Sequence, residues 1–388
     1  MPKYSLDNVT IDGFRGLRKL RLDDLGLFNI LVGANNSGKT SVLEALSILC
    51  NPLEPFEWIS MVRRRDFGQL DETRIQSLRW CFPQSGQLAD PKTMFEGECT
   101  MSCDGRFPLR RLRVTYRDIL GEPGPKEVDH EESIAGLEED EIDDIQPRRG
   151  AEITHFIRAD HQSTYWPFQP KALEAYHDRP ITIEVWENER IFKQRYRTHI
   201  NYMQTETLTP YSYQINPVQV RYQSLAVFDS GKDAILDLVR AFDSEVDDIK
   251  IASFRGARPA IYLNHRRLGP APLSVFGDGL RRVVLLAGAI PTLKDGGILF
   301  IDEFDTGIHV SALKRVAAWL MTSARDLGVQ IVATTHSLEA IDAIALSTQD
   351  QIDDLVTFHL DQTEQETRTK RIYYYSAKSC PNCIGVSR

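Results

Sequence analysis

No apolar run in the 388 residues approaches the roughly 20 that a bilayer-crossing helix needs, so no membrane partner is expected. The opening residues, Met1-Pro2-Lys3-Tyr4-Ser5-Leu6-Asp7, lack the apolar stretch of a secretory signal, which points to a cytoplasmic protein. Cysteine is scarce. The six present read as free thiols in a chain of this kind. Cys380-Pro381-Asn382-Cys383 is a lone C-x-x-C, and a zinc site would need a second pair of suitable spacing. Cys99 and Cys103 are the nearest other pair, and a bland tail is the preferred reading. Residues 127–144 are crowded with acids but have no glycine-punctuated calcium loop, so a mobile loop or solvated helix is expected there. No heptad pattern is sustained through 90–220. Basic charge is in deficit, with a net charge of −9, which disfavours nucleic-acid binding over the whole surface and leaves only a local basic patch.

Composition is otherwise ordinarily globular, 42% hydrophobic and 26% charged, and the length suits two to three structural units. The most informative stretch is Gly33-Ala34-Asn35-Asn36-Ser37-Gly38-Lys39-Thr40, which fits the phosphate-binding loop G-x-x-x-x-G-K-[ST] without mismatch. Glycines let successive backbone N–H groups, including those of Asn35, Asn36, Ser37 and Ser41, turn toward one anion. The spacing of Val42, Leu43, Ala45, Leu46 and Leu49 predicts a helix over 39–49, with its positive end at the same place. Lys39 is a point charge for the terminal phosphates, and the Thr40 hydroxyl is a ligand for Mg²⁺. The apolar run Phe28–Val32 before the loop reads as a buried strand.

Around this centre, residues 4–11 and 17–23 read as two strands joined through Gly13-Phe14-Arg15-Gly16. Arg15 is either a nucleotide contact or a solvated turn arginine. Asn51-Pro52-Leu53-Glu54-Pro55 reads as a helix stop. Arg63-Arg64-Arg65 reads as a solvated face, with nucleic-acid contact as the rival, and Gln69 is a weak candidate for sensing the metal. Strands are expected near 94–102, 109–116 and 152–158, with a hairpin from 181–186 and 190–197. A helix is expected over 232–242, with Ser230 and Asp233 resembling a capping box. Strands are expected again over 248–253 and 260–264.

Ile298-Leu299-Phe300-Ile301-Asp302-Glu303 is an apolar strand ending in two acids, where a parallel sheet opens its ligand crevice. Asp302 there would hold Mg²⁺, and Glu303 would polarise the attacking water. Ile331–Ser337 is a second apolar strand ending in polar residues. His336 at its tip is read as a hydrogen-bond donor to the terminal phosphate, against a structural strand-end histidine. Leu273-Ser274-Val275-Phe276-Gly277-Asp278-Gly279 is a glycine-rich turn opening the apolar helix 280–290, a suitable anion site.

These motifs, taken in order, resemble the ABC-type ATPase head. Two blocks narrow the likeness: Phe14-Arg15-Gly16 before the phosphate loop, and Phe276–Arg282 with Asp302–His309 and Thr334-Thr335-His336-Ser337. With them the chain resembles the AAA15/AAA21 group of soluble ABC-type ATPases, related to the OLD (overcoming lysogenization defect) proteins, over roughly 4–50 and 225–345. The resemblance implies an α/β P-loop NTPase fold: a mixed sheet flanked by helices, with an antiparallel β subdomain. One head would be built from 1–60 and 225–360, interrupted by a β-rich insertion at 61–224 that holds the acidic loop 127–144. Residues 361–388 would be a C-terminal tail.

The resemblance also implies ATP and Mg²⁺ as cofactors and a head-to-tail homodimer. ATP would be sandwiched between one phosphate loop and the other copy's Gly277, Asp278 and Gly279, with Ser274 adding its hydroxyl and Asp305 and Thr306 touching the partner. The chain departs from the familiar Leu-Ser-Gly-Gly-Gln signature in having Val275-Phe276 between the serine and the first glycine. Lack of a coiled coil and of a transporter-coupling feature argues against the SMC/Rad50 type and against a transporter subunit. About 50 residues follow His336, too few for a separate nuclease domain of about 100. The expected role is an ATP-driven sensor or scaffold for a separately encoded effector in antiphage defence. An ATP-gated nucleic-acid clamp, using Arg63–Arg65, Arg148-Arg149, Arg266-Arg267 and Arg281-Arg282, is the alternative.

Overall fold

The structure is a computed structural model that describes residues 3–65, 74–84, 94–121, 148–160, 180–187, 193–194, 203–212, 232–252, 260–293, 296–347, 354–363 and 365–372. Gln69, the acidic stretch 127–144, Ser230 and the Cys380/Cys383 pair lie outside the described residues.

Strands β1 (Asn8–Asp12) and β2 (Leu20–Leu22) form an antiparallel pair. The first is shorter than its apolar pattern implies, because Asp7 accepts the Lys3 and Tyr4 N–H groups and turns the chain there. β3 (Phe28–Gly33) runs into the phosphate loop, and α1 (Lys39–Cys50) follows. The break after α1 is present at Asn51, but Pro55 begins a further helix, α2 (Pro55–Arg65). Proline suits a first helical turn, whose N–H groups lack partners anyway. The short α3 (Arg74–Arg79) comes next.

β4 (Glu96–Asp104), β5 (Leu109–Gly121), β6 (Arg148–Ala159), β7 (Ile181–Trp186) and the two-residue β8 (Lys193–Gln194) continue outward from β1. Together they make an antiparallel sheet in the order β2-β1-β4-β5-β6-β7-β8. The β-rich stretch is therefore continuous with the N-terminal strands. Its residues alternate between buried and part-exposed, as in β7, the pattern of a sheet with one face on the core.

β9 (Thr205–Leu208) leaves that sheet and pairs in parallel with a strand of the second one. After it come α4 (Lys232–Arg240), then β10 (Val246–Ala252), β11 (Ala260–His265) and β12 (Gly269–Pro272), which form a small antiparallel sheet. α5 (Asp278–Ala289), β13 (Ile298–Ile301), α6 (Val310–Leu327), β14 (Gln330–Thr334), α7 (Leu338–Ser347), β15 (Leu355–Gln362) and β16 (Thr367–Ile372) complete the chain.

The second sheet has the order β16-β15-β3-β14-β13-β9, parallel except for β16. Two boundaries drawn on the sequence shift. Residues 205–208 belong to this sheet rather than to the insertion, and 361–372 carry the end of β15 and the whole of β16 rather than a tail. The first was masked by only four strand residues in an irregular stretch. The second was masked by the polar character of Thr367–Ile372, an edge strand.

The parallel strands are buried along their length, as β13 and β14 show. Alternate side chains pass to opposite faces. Ile298 and Phe300 join the core shared with α1, α2 and the antiparallel sheet, whereas Leu299 and Ile301 join the core under α4, α5 and α6. Burying one such side chain contributes roughly 1.5–3 kcal/mol. α6 stops at Gly328, whose φ of 67° closes the helix in the left-handed region that glycine tolerates. No helix of the described residues is long and apolar enough to cross a membrane. Cys50, Cys81, Cys99 and Cys103 are free and buried in the core. Burial pushes the Cys81 and Cys103 thiols up to about 12, so they sit in the core as protonated thiols.

Candidate functional site

Three adjacent parallel strands, β3, β14 and β13, end side by side, and their C-terminal tips carry the motifs. The phosphate loop owes its shape to backbone that few residues adopt: φ is 63° at Asn36 and 91° at Gly38. A Cβ on Gly38 would also come within 2.7 Å of Leu17 Cδ2. No side chain caps α1, and no acid lies in its first turn, so its positive end is unanswered by the protein. Lys39 Nζ donates to the carbonyls of Gly33 (2.9 Å) and Ala34 (2.8 Å), folded back on the loop. Burial lowers its pKa, and Asp302 and Glu303 oppose that shift.

Asp302, at the tip of β13, lies against this loop. Its carboxylate oxygens are each 3.1 Å from Thr40 Oγ1, which donates to them, and Thr334 Oγ1 donates to Oδ1 at 2.7 Å. Burial raises the Asp302 pKa, and the two threonine hydrogen bonds pull it down. Glu303 sits in the turn with φ 49°, a strained conformation for a non-glycine residue, and its N–H donates to Thr334 Oγ1. Arg282, 2% exposed, pins this turn by donating to the backbone oxygens of Asp302 (2.9 Å) and Glu303 (2.6 Å). Its place among the nucleic-acid candidates is thereby corrected: a buried guanidinium bound to main-chain oxygens does not face solvent.

These groups surround a cavity of about 610 Å³. Asn35, Asn36, Ser37, Gly38, Lys39, Thr40 and Ser41 line it from the loop and α1; Asp302, Glu303 and His336 line it from the neighbouring strands. Gly33 contributes the carbonyl that holds Lys39. Arg15 does not line the cavity, nor is it a solvated turn residue. Its Nε is 2.7 Å from Glu44 and the side chain is 13% exposed, because the buried Glu44 carboxylate draws it inward. Ser274, Gly277, Asp278 and Gly279 lie away from this cavity. Ser274, Gly277 and Asp278 are exposed, and a Cβ at Gly277 would meet nothing within 4 Å.

Sequence reasoning missed Thr207 on β9, Thr209 and Tyr211 just after it, and Glu44, Arg64 and Arg65, all of which border the cavity. The Thr-Leu-Thr-Pro run ending β9 was the available signal for the first group. For the second it was the helical spacing of Trp58, Ile59 and Val62 ahead of the arginines. Thr207 Oγ1 is buried without a hydrogen-bond partner, an orphaned polar atom on the cavity wall. The volume, the uncapped helix end, the orphaned hydroxyl and the threonine–carboxylate pair suit a nucleotide with a hard divalent cation.

Fold and site together define a P-loop ATPase domain with the fold of an SMC head. The chain belongs to the AAA ATPase domain family, which it matches over residues 5–226; residues 116–342 also match the family described as "AAA domain, putative AbiEii toxin, Type IV TA system". An SMC head, solved in a crystal structure bound to the C-winged helix domain of ScpA, superposes with a TM-score of 0.51 at 9% identity, covering 97% of this chain and 100% of that one. An ATP/GTP phosphatase of Helicobacter pylori is 21% identical over 87% of each chain. Uncharacterized protein MJECL10 of Methanocaldococcus jannaschii is 39% identical over 59 residues, 15% of this chain and 27% of that protein. The chain thus spans about a quarter of that relative's length and most of the Helicobacter protein's.

Proposed function

We propose that the protein hydrolyses ATP with Mg²⁺ between two copies of itself, and that this cycle controls a separate effector. One observation carries the reading: Lys39, Thr40, Asp302, Glu303 and His336, from three neighbouring strand ends, border a single cavity beside an uncapped helix N-terminus. Thr40 and Asp302 would hold the Mg²⁺, which when bound neutralises phosphate charge. Lys39 and the loop N–H groups bind the β- and γ-phosphates. Glu303 takes the proton of the attacking water, and His336, exposed at the cavity edge, donates to the γ-phosphate.

The dimer is supported by what the cavity lacks. The glycine turn at 277–279 does not border the cavity that holds its own chain's phosphate loop, and Gly277 and Asp278 in it are exposed. Large apolar residues stand exposed beside each motif expected at the interface: Val275 (62%) before Gly277, Val310 (55%) after Gly307, and Leu338 (74%) after His336. Closure of two heads would cover them. The single head with its β-rich insertion, the defence role and the effector, a nuclease or toxin, are supported by the resemblance. Of the arginines the clamp reading would use, Arg266, Arg267 and Arg281 pair with Asp247, Glu245 and Asp278 at the surface.

Glu303→Gln tests the proposal. Phosphate release should fall at least about 100-fold while ATP binding persists, and light scattering should show an ATP-dependent dimer that no longer dissociates. Unchanged turnover, or a monomer at saturating Mg-ATP, would sink the reading.

A further inference from the structure

β9 is the end strand of the parallel sheet, and among the described residues no strand pairs with its outer edge. On its inner side, the N–H groups of Ile298 and Asp302 donate to the carbonyls of Gln204 (2.9 Å) and Leu208 (2.8 Å). Parallel strands turn alternate residues to opposite neighbours, so Thr205 and Thr207 present their N–H and C=O groups to the open side.

A second cavity, of about 460 Å³, lies along this edge. Glu54, Glu57 and Arg64 line it from the start and body of α2, which packs on one face of the sheet. Leu293 lines it from the core on the opposite face. A cavity that touches both faces, with Thr205, Glu206 and Thr207 between them, passes round the end strand. Its charge is one-sided. Glu54, Glu57 and Glu206 stand against the single guanidinium of Arg64, an excess of two negative charges among the described residues. Arg64, expected from the sequence on a solvated face, is held at this wall by Glu57, its Nη2 donating to Oε1 at 3.0 Å. Acids flank the strand on both sides. Thr205 turns toward α1, where its Oγ1 accepts from Asn51 Nδ2 at 2.8 Å, so Glu206 turns to the other face, away from Glu57.

We propose that the β9 edge is the docking site of a partner protein, which adds an extended segment rich in lysine or arginine as a further strand. Main-chain hydrogen bonds to Thr205 and Thr207 hold that segment, and the carboxylates on either side select its basic side chains. Thr207 and Arg64 border this groove and the nucleotide cavity alike. The partner is thereby the effector of the ATP cycle, a link that rests on the nucleotide reading, whereas the docking site rests on the sheet edge. Each ligand then changes the affinity of the other by the same factor.

Fluorescence anisotropy of the full chain with a labelled hexapeptide alternating lysine and threonine tests the proposal. At low salt this peptide should bind at least about tenfold more tightly than one alternating glutamate and threonine. N-methylation of every amide in it should abolish binding, and Glu54→Lys/Glu206→Lys should weaken it about tenfold or more. Hydrogen exchange at the Thr205 and Thr207 amides should slow when it binds. Should the double variant not fold, the methylated peptide asks the same question of the wild-type chain. Equal affinity for the acidic and basic peptides overturns the proposal. Binding that survives full methylation overturns it in favour of a small-polycation site, and a nucleotide-free dimer lost in Glu206→Lys overturns it in favour of a second copy. Lys39→Ala separates the two readings. If that variant binds Mg-ATP normally while the basic peptide still docks, the nucleotide reading falls and the docking site stands. If it loses ATP while the wild-type chain shows none of the peptide's selectivity, the docking site falls alone.

Discussion

The Thr306 hydroxyl donates to Glu303 Oε2 across 2.8 Å, and the Thr306 N–H returns to the Glu303 carbonyl at 3.0 Å. The proposed base is therefore aimed by a residue in the loop that, by the dimer reading, meets the other copy. Thr306→Val keeps the shape and removes the donor. Turnover at saturating Mg-ATP should drop about tenfold with ATP affinity unchanged, and Thr306→Ser should restore it. Equal losses in valine and serine variants would point to packing instead of aim.

Asp302 pays for its function with stability. Its folded pKa lies above 3.8 because burial disfavours the charged form. A group raised in the folded state stabilises fully below its unfolded value and loses that contribution as pH rises through the folded value. At neutral pH the carboxylate is therefore a net cost in the nucleotide-free protein. Asp302→Asn should raise the melting temperature at pH 7 by a few degrees, with the gain shrinking toward pH 4, while abolishing hydrolysis. A fall in melting temperature at pH 7 would contradict this account.

Much of this was legible because buried parallel strands write themselves as unbroken apolar runs. Ile298–Ile301 and Ile331–Ala333 are of that kind, Phe28–Val32 is broken only by the buried Asn29, and the polar residues ending each run mark the site. β9 was not legible: four residues with two threonines carry no such run, and only the sheet pairing to β13 reveals the strand. α2 was hidden by Pro55, a stop signal that also starts helices. Arg15 and Arg282 were ambiguous because an arginine's role depends on what it reaches. Glu44 and the backbone oxygens at Asp302 and Glu303 lie far from them in the chain or are not side chains at all.

Gly279 separates packing from chemistry. A Cβ there would stand 2.6 Å from the Gly307 carbonyl oxygen, which backbone cannot easily vacate. The helix that opens the glycine turn thus packs directly on the loop carrying Asp305 and Thr306. Gly279→Ala should cost about 1–3 kcal/mol in chemical unfolding and, by displacing Thr306, slow turnover as well. Gly277→Ala meets open space in the monomer, so it should leave the fold's stability unchanged and impair only ATP-driven dimerisation. Identical stability losses at both positions would argue against an exposed Gly277.

His155 reports on the antiparallel sheet. It is fully buried on β6, accepts the Trp58 indole N–H at Nε2 over 3.2 Å, and lies with Nδ1 3.4 Å from the Ile181 carbonyl. Burial pushes its pKa down to about 4, from 6.5. A base depressed in the folded state stabilises fully above the unfolded value and loses that contribution as pH falls toward the folded one. Stability should therefore decline by about 3 kcal/mol between pH 6.5 and 4 through this residue, on the order of 1.4 kcal/mol for each pH unit. His155→Gln, which can still accept from Trp58, should be less stable at pH 7 but flatter in that interval. Urea unfolding followed by tryptophan fluorescence measures both. If the wild-type and glutamine proteins lose stability in parallel from pH 6.5 to 4, His155 is not the group responsible.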